Sequence, residues 1–315
     1  MLTWSSPLAD RFRNLDVRDG VLLRGPAGWA EFSAFWDYDD AECVPWLRAA
    51  VEAATLPFPD AVRTSVPVNA TVPAVGPERA AEIVRASGCA TVKVKVAQAG
   101  QSLADDLDRV AAVRDALGPA GAIRVDANAA WSVDEAVAAL PRIDRAAGGL
   151  QYAEQPCAAV DDLARVRRAV AVPIAADESI RRASDPHAVV RAEAADVIVV
   201  KVQPLGGVRA CLALAEELGL PVTVSSALES SVGVAAGVAL AAALPRTNAA
   251  GLATVAMLRA DVAATPLLPV DGELPVGRVV PDAITPAAPD LDRAWRDRLD
   301  RVAALAGIDL QEVLA

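Results

Sequence analysis

Between about residues 65 and 255 the chain alternates short β-branched runs with Ala/Arg/Glu-rich stretches, and this regular alternation admits few folds. The strand candidates are residues 66–72, 91–96, 123–126, 150–154, 172–176, 196–201, 221–225 and 251–254. Successive starts lie 22 to 32 residues apart, room for one strand, one helix and two loops. Most runs are apolar on both faces, as expected where helices cover one side and a barrel core the other. Eight such units predict an α/β protein with a modified TIM-type (β/α) barrel. A doubly wound sheet is the weaker alternative.

The helices carry their own punctuation. Ser132-Val-Asp-Glu135 is a capping box, whose Ser and Glu side chains satisfy orphan amides of the first turn. Pro77-Glu78 suits a helix start, and Gly118, Gly148 and Gly219 stand where helices should stop.

The flanks differ in composition. Four of six tryptophans (Trp4, Trp29, Trp36, Trp46) and three of four phenylalanines lie in the first 46 residues. Residues 20–32 read as a hairpin around a Gly-Pro-Ala-Gly turn, and an Ala-rich helix follows from about Asp40. Residues 265–290 hold six prolines and predict an extended crossing before a charged final helix over 291–305. The expected organisation is a barrel over residues 63–262. Residues 1–62 and 263–315 would form an α+β capping domain against it.

Composition then narrows the function. The net charge is −11 with no basic run, which argues against nucleic acid, because phosphate contacts need a positive surface. The N-terminus lacks the basic-then-apolar pattern of a signal peptide, and the apolar stretch 231–244 is too short for a bilayer. No membrane association and a cytoplasmic location are expected. Cys43, Cys89, Cys157 and Cys211 lie far apart, which fits reduced thiols. His187 is the only histidine, read as a surface residue of a helix opened by Ser184-Asp-Pro186. The histidine-dependent nucleophile systems and the common zinc sites are thereby disfavoured.

Lysine is rarer than its use elsewhere would suggest: three residues, Lys93, Lys95 and Lys201, against 27 arginines. All three sit in apolar, strand-like runs. A buried ammonium can give up its proton near neutrality and a guanidinium cannot, so the chain keeps lysine where a base is needed. A single strand lysine would more simply snorkel or pair with an acid; the complete lysine set points to chemistry.

In a (β/α) barrel the active site forms at the C-terminal ends of the strands. Strand two ends in Lys93 and Lys95, strand three in Asp126, strand four in Glu154, strand five in Asp177 and strand six in Lys201. Lys93 and Lys95 are two apart and share a face. Each acid alone could be a helix cap or a loop ion pair. Together, three acids on consecutive strands suit a hard cation, with Mg²⁺ expected and Mn²⁺ tolerated. Lysines on either side of such an ion could remove a proton next to a carboxylate.

Val92-Lys-Val-Lys95, Arg124-Val-Asp-Ala-Asn128, Tyr152-Ala-Glu-Gln-Pro156, Ala176-Asp-Glu-Ser179 and Val200-Lys201 resemble the motif series of the enolase superfamily. Within it they fit the muconate-lactonizing subgroup, and the match covers nearly the whole chain. Arg18-Asp-Gly20, Gly28-Trp-Ala-Glu-Phe-Ser33 and Ser225-Ser-Ala-Leu-Glu-Ser-Ser-Val-Gly233 are similar to the short bacterial o-succinylbenzoate synthase family.

The resemblance implies dehydration of 2-succinyl-6-hydroxy-2,4-cyclohexadiene-1-carboxylate to 2-succinylbenzoate, a step of menaquinone synthesis. It implies Lys95 as base and then acid on one ring face, Lys201 as cation on the other, and Asp126, Glu154 and Asp177 as metal ligands. Lys93 and the metal would lower the Lys95 ammonium pKa. Ser225, Ser226 and Gly251 would hold the succinyl chain, with Arg124, Asn128 and Glu229 as supporting groups and residues 7–13 as a mobile loop from the cap. Arg11 and Arg13 are read as solvated rather than as partners of the succinyl carboxylate.

The partner expected is a small carboxylate, bound by either a monomer or a homo-oligomer. An N-succinylamino acid racemase or a cycloisomerase would use the same frame. Dipeptide epimerases carry an Asp-x-Asp on strand eight, where this chain has Gly251-Leu-Ala-Thr254. A Schiff-base aldolase using Lys201 would leave the three acids unexplained, and a non-catalytic barrel would leave the whole constellation so.

Overall fold

The structure, a computed structural model, describes residues 1–183 and 185–315. The chain opens with an antiparallel sheet of β1 (Leu2–Phe12), β2 (Leu15–Gly25) and β3 (Gly28–Phe32), in that spatial order. β2 and β3 form the expected hairpin, closing where Gly25 pairs with Gly28. Residues 7–13, expected as a loop, are instead mostly strand. Pro7 pairs with Val17 and Phe12 with Leu15, with an irregularity between, and the ribbon turns at Arg13 and Asn14. Both turn residues have positive φ, 51° and 62°. Cross-strand pairing to β2 thus takes most of the segment that the resemblance implied as a loop.

α1 (Val44–Thr55) packs on this sheet. Trp46, Leu47 and Ala50 are buried in one cluster with Phe32, Phe35, Trp295, Leu299 and Val302. Of the four N-terminal tryptophans Trp46 joins this cluster, Trp4 is buried in a second one with Leu8 and Leu22, and Trp36 is exposed.

The expected run 66–72 is divided at Val68. β4 (Ser65–Pro67) pairs antiparallel with a late strand, while β5 (Asn69–Val72) begins the barrel. It is followed by α2 (Pro77–Ser87), β6 (Thr91–Lys95), α3 (Leu103–Leu117), β7 (Ala122–Asp126), α4 (Val133–Ala147) and β8 (Leu150–Glu154). Then come α5 (Val160–Ala169), β9 (Ile174–Ala176), α6 (Glu178–Arg181), α7 (Ala188–Arg191), β10 (Val197–Val200), α8 (Val208–Leu218), β11 (Val222–Val224) and α9 (Ser231–Ala243). β5 to β11 run parallel in sequence order in one curled sheet.

The eighth strand expected over 251–254 does not form. Ala250 and Gly251 make single bridges to Val68 and Ser225, and the chain turns at once into a 3₁₀ helix, Ala253–Met257. These bridges still close the barrel, since Asn69 N donates to Ala250 O at 2.9 Å and Gly251 N to Val224 O at 2.8 Å. Close approach is what the position requires: a Cβ on Gly251 would lie 2.6 Å from Ser225 Oγ. The chain ends with β12 (Glu273–Pro275), the partner of β4, then α10 (Pro289–Ala306) and α11 (Leu310–Val313).

Each barrel strand divides its residues between two environments. On β6, Val92 and Val94 are buried in one hydrophobic core with Val110 and Val113 of α3, whereas Lys93 and Lys95 reach acids of β7 and β8. The Ser132–Glu135 capping box is formed, and α4 buries Ala136, Leu140 and Ile143 at helical spacing. Burying a side chain such as Leu140 contributes roughly 1.5–3 kcal/mol. Gly118, Gly148 and Gly219 cap α3, α4 and α8 as expected.

All four cysteines are buried and unbonded. His187 is partly exposed and precedes the single turn of α7, while Ser184 lies outside the described residues. Among the described residues no helix is long and apolar enough to cross a membrane.

Candidate active site

Residue alternation on adjacent parallel strands aims six charged side chains at one end of the barrel. Lys95 pairs in register with Asp126, and Asp126 with Glu154. Asp177 follows β9 and Lys201 follows β10. All six are buried, none more than 9% exposed. Lys93 Nζ lies 3.1 Å from both oxygens of Glu154 and 3.4 Å from Asp126 Oδ2. Lys95 Nζ pairs with Asp126 Oδ2 and donates to Asn128 Oδ1 at 2.6 Å. Lys201 Nζ donates to Asp177 Oδ2 at 2.7 Å, and Arg181 Nε to Asp177 Oδ1 at 3.0 Å.

The charges are unevenly matched. Burial pushes the Glu154 carboxyl up to about 7, and the neighbouring carboxylates Asp126 and Asp177 add to the rise. Asp126, although buried, is held well below the usual carboxylate range by Lys95 and Lys93; Asp177 is held low by Arg181 and Lys201. Burial alone would lower Lys93, but Glu154 and Asp126 outweigh it and hold the ammonium above its ordinary value. Lys93 is thus held as an ammonium between the two acids. Burial lowers Lys201, with Arg181 and Lys93 adding like charge against the pull of Asp177.

Among the described residues, no three acidic, histidine or cysteine groups close on one point as a finished metal cage. Their oxygens are turned onto ammonium and guanidinium groups instead. The chemistry of the donors nonetheless fits a hard divalent cation: three carboxylates from adjacent strands, no nitrogen or sulfur ligand, and an acid at Glu154 whose ionisation needs further positive charge.

A cavity of about 30 Å³ lies between these groups and the cap, lined by Lys93, Lys95, Asp126, Asn128 and Lys201. Ser225, Ser226 and Gly251 line it too, as does the segment Ala227-Leu228. Phe12, Arg13 and Phe35 close it from the cap, and Phe12 lies 5.2 Å from Lys95 Nζ. A wider mouth of about 960 Å³ adjoins it, lined by Arg11, Arg13, Arg181 and Arg182 among others. Arg181 is paired there with Asp177 and Glu178, and Arg182 with Glu42.

The supporting residues separate. Asn128 is in the site itself. Arg124 lies one layer beneath, donating to Asn69 Oδ1 at 2.9 Å and Gln151 Oε1 at 2.6 Å, with its guanidinium 4.9 Å from the Tyr152 ring. Glu229 is behind the wall, accepting from Ala227 N at 2.6 Å. Sequence reasoning missed Arg181 and Gln155. Arg181 stands one helical turn after Asp177, a spacing that signals an ion pair. Gln155 Oε1 accepts from Asp177 N at 2.9 Å, and nothing in the sequence announces that bond.

Two family models match the chain: "Enolase C-terminal domain-like" over residues 77–284 and "Enolase N-terminal domain-like" over residues 3–54. An o-succinylbenzoate synthase of Thermobifida fusca is 62% identical over 93% of this chain and 92% of its own. One of Mycolicibacterium smegmatis is 52% identical over 95% and 92%. Among solved structures, the L-Ala-D/L-Glu epimerase of Bacillus subtilis superposes with a TM-score of 0.75 at 23% identity, covering 91% of this chain and 97% of that one. It shares the fold. The chain belongs to the o-succinylbenzoate synthase family of the enolase superfamily and is a lyase of the dehydratase kind.

Proposed function

We propose that this barrel end catalyses the syn dehydration of 2-succinyl-6-hydroxy-2,4-cyclohexadiene-1-carboxylate to 2-succinylbenzoate. The observation that carries the reading is two buried lysines, Lys95 and Lys201, reaching one cavity from strands β6 and β10, with three buried carboxylates between those strands.

Lys95 is the acid–base group in this reading. As a neutral amine it takes the ring proton next to the carboxylate, and as an ammonium it returns a proton to the departing hydroxyl on the same face. Its bond to Asn128 and its ion pair to Asp126 aim the nitrogen. Lys201 faces the ring from the opposite side as a cation, held by Asp177. Lys93, paired with Glu154 and Asp126, is the fixed positive charge beside Lys95. Ser225, Ser226 and Gly251 take the succinyl chain.

Asp126, Glu154 and Asp177 are the residues that would hold Mg²⁺, with Mn²⁺ tolerated. That ion supplies Lewis-acid charge for the carboxylate whose α-proton is removed. Residues 1–62 and 263–315 act as one capping unit over the barrel of residues 63–262, in the cytoplasm. N-succinylamino acid racemisation is the second reading. It is favoured by the same placement of lysines from two sides, since it needs one base for each face.

The test is loss of diene absorbance with Mg²⁺ and with excess EDTA, in wild type and Lys95→Arg. Metal-dependent turnover that vanishes in the variant supports the reading. Absence of turnover, with α-proton exchange on N-succinyl amino acids, assigns racemisation instead.

A further inference from the structure

Three sequence motifs meet at the seam between cap and barrel: the one containing Arg18, the one containing Glu31 and Ser33, and the one running from Ser225 to Gly233, of which the chemistry uses only Ser225 and Ser226. The seam is polar and buried. Arg18, Glu31, Ser33, Gln203, Glu229 and Ser230 are each at most 3% exposed.

Arg18, on β2, reaches across to the active-site wall. Its Nε donates to Leu228 O at 3.1 Å and its Nη2 to Ala227 O at 3.4 Å; Nη2 also serves Ser33 O, and Nη1 donates to Asp19 O at 2.7 Å. The same guanidinium lies 4.6 Å from the ring centre of Phe35, which closes the cavity from the cap side. Glu31, on β3, grips the start of α9. It accepts from Ser230 N at 3.1 Å, from Gly233 N at 3.2 Å, and from the hydroxyls of Ser230 and Ser33. A carboxylate suits those free amides at a helix start. Gly233 leaves room for it, since a Cβ there would lie 3.0 Å from Glu31 Cδ.

Between the two grips runs the segment Ala227-Leu228-Glu229. Leu228 has a φ of +65°, a conformation that a leucine holds only when its surroundings impose it. Leu228 N donates to Ser226 Oγ at 3.3 Å, and Ser226 Oγ shares a hydrogen bond with Thr254 Oγ1 at 2.7 Å. Ser226, Ala227, Leu228 and Thr254 all line the cavity.

We propose that Arg18 and Glu31 are positioning residues of the active site: from the cap they set the backbone of Ala227 and Leu228, and with it the wall against which the substrate's side chain lies. Seating of the cap and shape of the pocket are thereby one event. The substrate's identity rests on the reading above; the positioning itself does not.

The experiment compares wild type with Arg18→Met, Arg18→Lys and Glu31→Gln. Arg18→Met should raise KM for the cyclohexadiene carboxylate and Kd for 2-succinylbenzoate about tenfold, the effect of losing charge-assisted hydrogen bonds. kcat and Mn²⁺ affinity should change less than threefold, and Arg18→Lys should recover part of the loss. Amide exchange at residues 226–230 should quicken in Arg18→Met and Glu31→Gln, and stay unchanged on β6 to β8.

Wild-type KM, product Kd and exchange in folded variants would overturn the proposal, as would losses confined to thermal stability. If Arg18→Met does not fold, Arg18→Lys and Glu31→Gln carry the same comparison. If wild type itself fails to turn over the diene, the functional reading falls, and exchange at residues 226–230 still decides positioning.

Discussion

Lys93 Nζ is equidistant, at 3.1 Å, from the two carboxylate oxygens of Glu154, so the first lysine of the β6 pair is bound to the acids. Lys95, two residues on, pairs with Asp126 and Asn128 at the cavity edge. In the proposed mechanism the pair divides its work between holding charge and moving a proton.

Lys95→Arg should keep the positive charge and lose the base. A guanidinium does not deprotonate near neutrality, and positioned acid–base groups contribute roughly 10²–10⁴-fold. We expect kcat to fall by at least about 10³ while Kd for 2-succinylbenzoate changes less than fivefold; steady-state turnover and product titration read both. Turnover within tenfold of wild type would remove Lys95 from the mechanism.

Glu154→Gln should uncouple metal from fold. Even outer-shell changes at metal sites cost 10–100-fold in affinity, so replacing one of three carboxylates should weaken Mg²⁺ and Mn²⁺ binding by about 100-fold or more. Titration calorimetry with Mn²⁺ checks it. Undiminished binding would place the ion elsewhere.

Lys201→Ala should reduce turnover by about 10²-fold through loss of the cation facing the ring, with metal affinity retained. If α-proton exchange on an N-succinyl amino acid survives in one enantiomer only, Lys201 is also the base of the second face.

The stability of the seam should depend on pH through Glu31. Burial, with Glu229 nearby, pushes its carboxyl up to about 7 from an ordinary 4.5. The folded state then binds more protons than the unfolded state between those values, so this contribution is fully present below about pH 4.5 and is lost as pH rises through 7. Glu31→Gln removes it. Relative to wild type, the variant should gain on the order of 3 kcal/mol between pH 4.5 and pH 8, read from urea unfolding at each pH. A pH-independent difference would show that Glu31 ionises normally.

Ser132→Ala should cost stability and nothing else. The Ser132 side chain accepts from Glu135 N in a complete capping box and does not line the cavity. Loss of such a cap costs about 0.5–2 kcal/mol, seen as a lower melting temperature with unchanged kcat/KM.

The sequence by itself determined the barrel's period, its helix boundaries and the lysine–carboxylate set. These are local matters: Val92 and Val94 alternate with Lys93 and Lys95, Ser132 meets Glu135 three residues on, and Gly148 ends α4 in a left-handed turn. Period and chirality then require that strand-end residues meet.

Tertiary structure decided what depends on partners distant in the chain. Residues 251–254 carry strand-like residues, yet two bridges suffice to close the barrel once Gly251 lies against Ser225. Residues 7–13 are a loop by resemblance, yet β2 draws most of them into a ribbon. The motifs of Arg18 and Glu31 do not name their partners, and only the seating of the cap buries these two charges against Leu228 and Ser230. A charge's environment belongs to the surfaces that meet around it, and those surfaces come from segments some 200 residues apart.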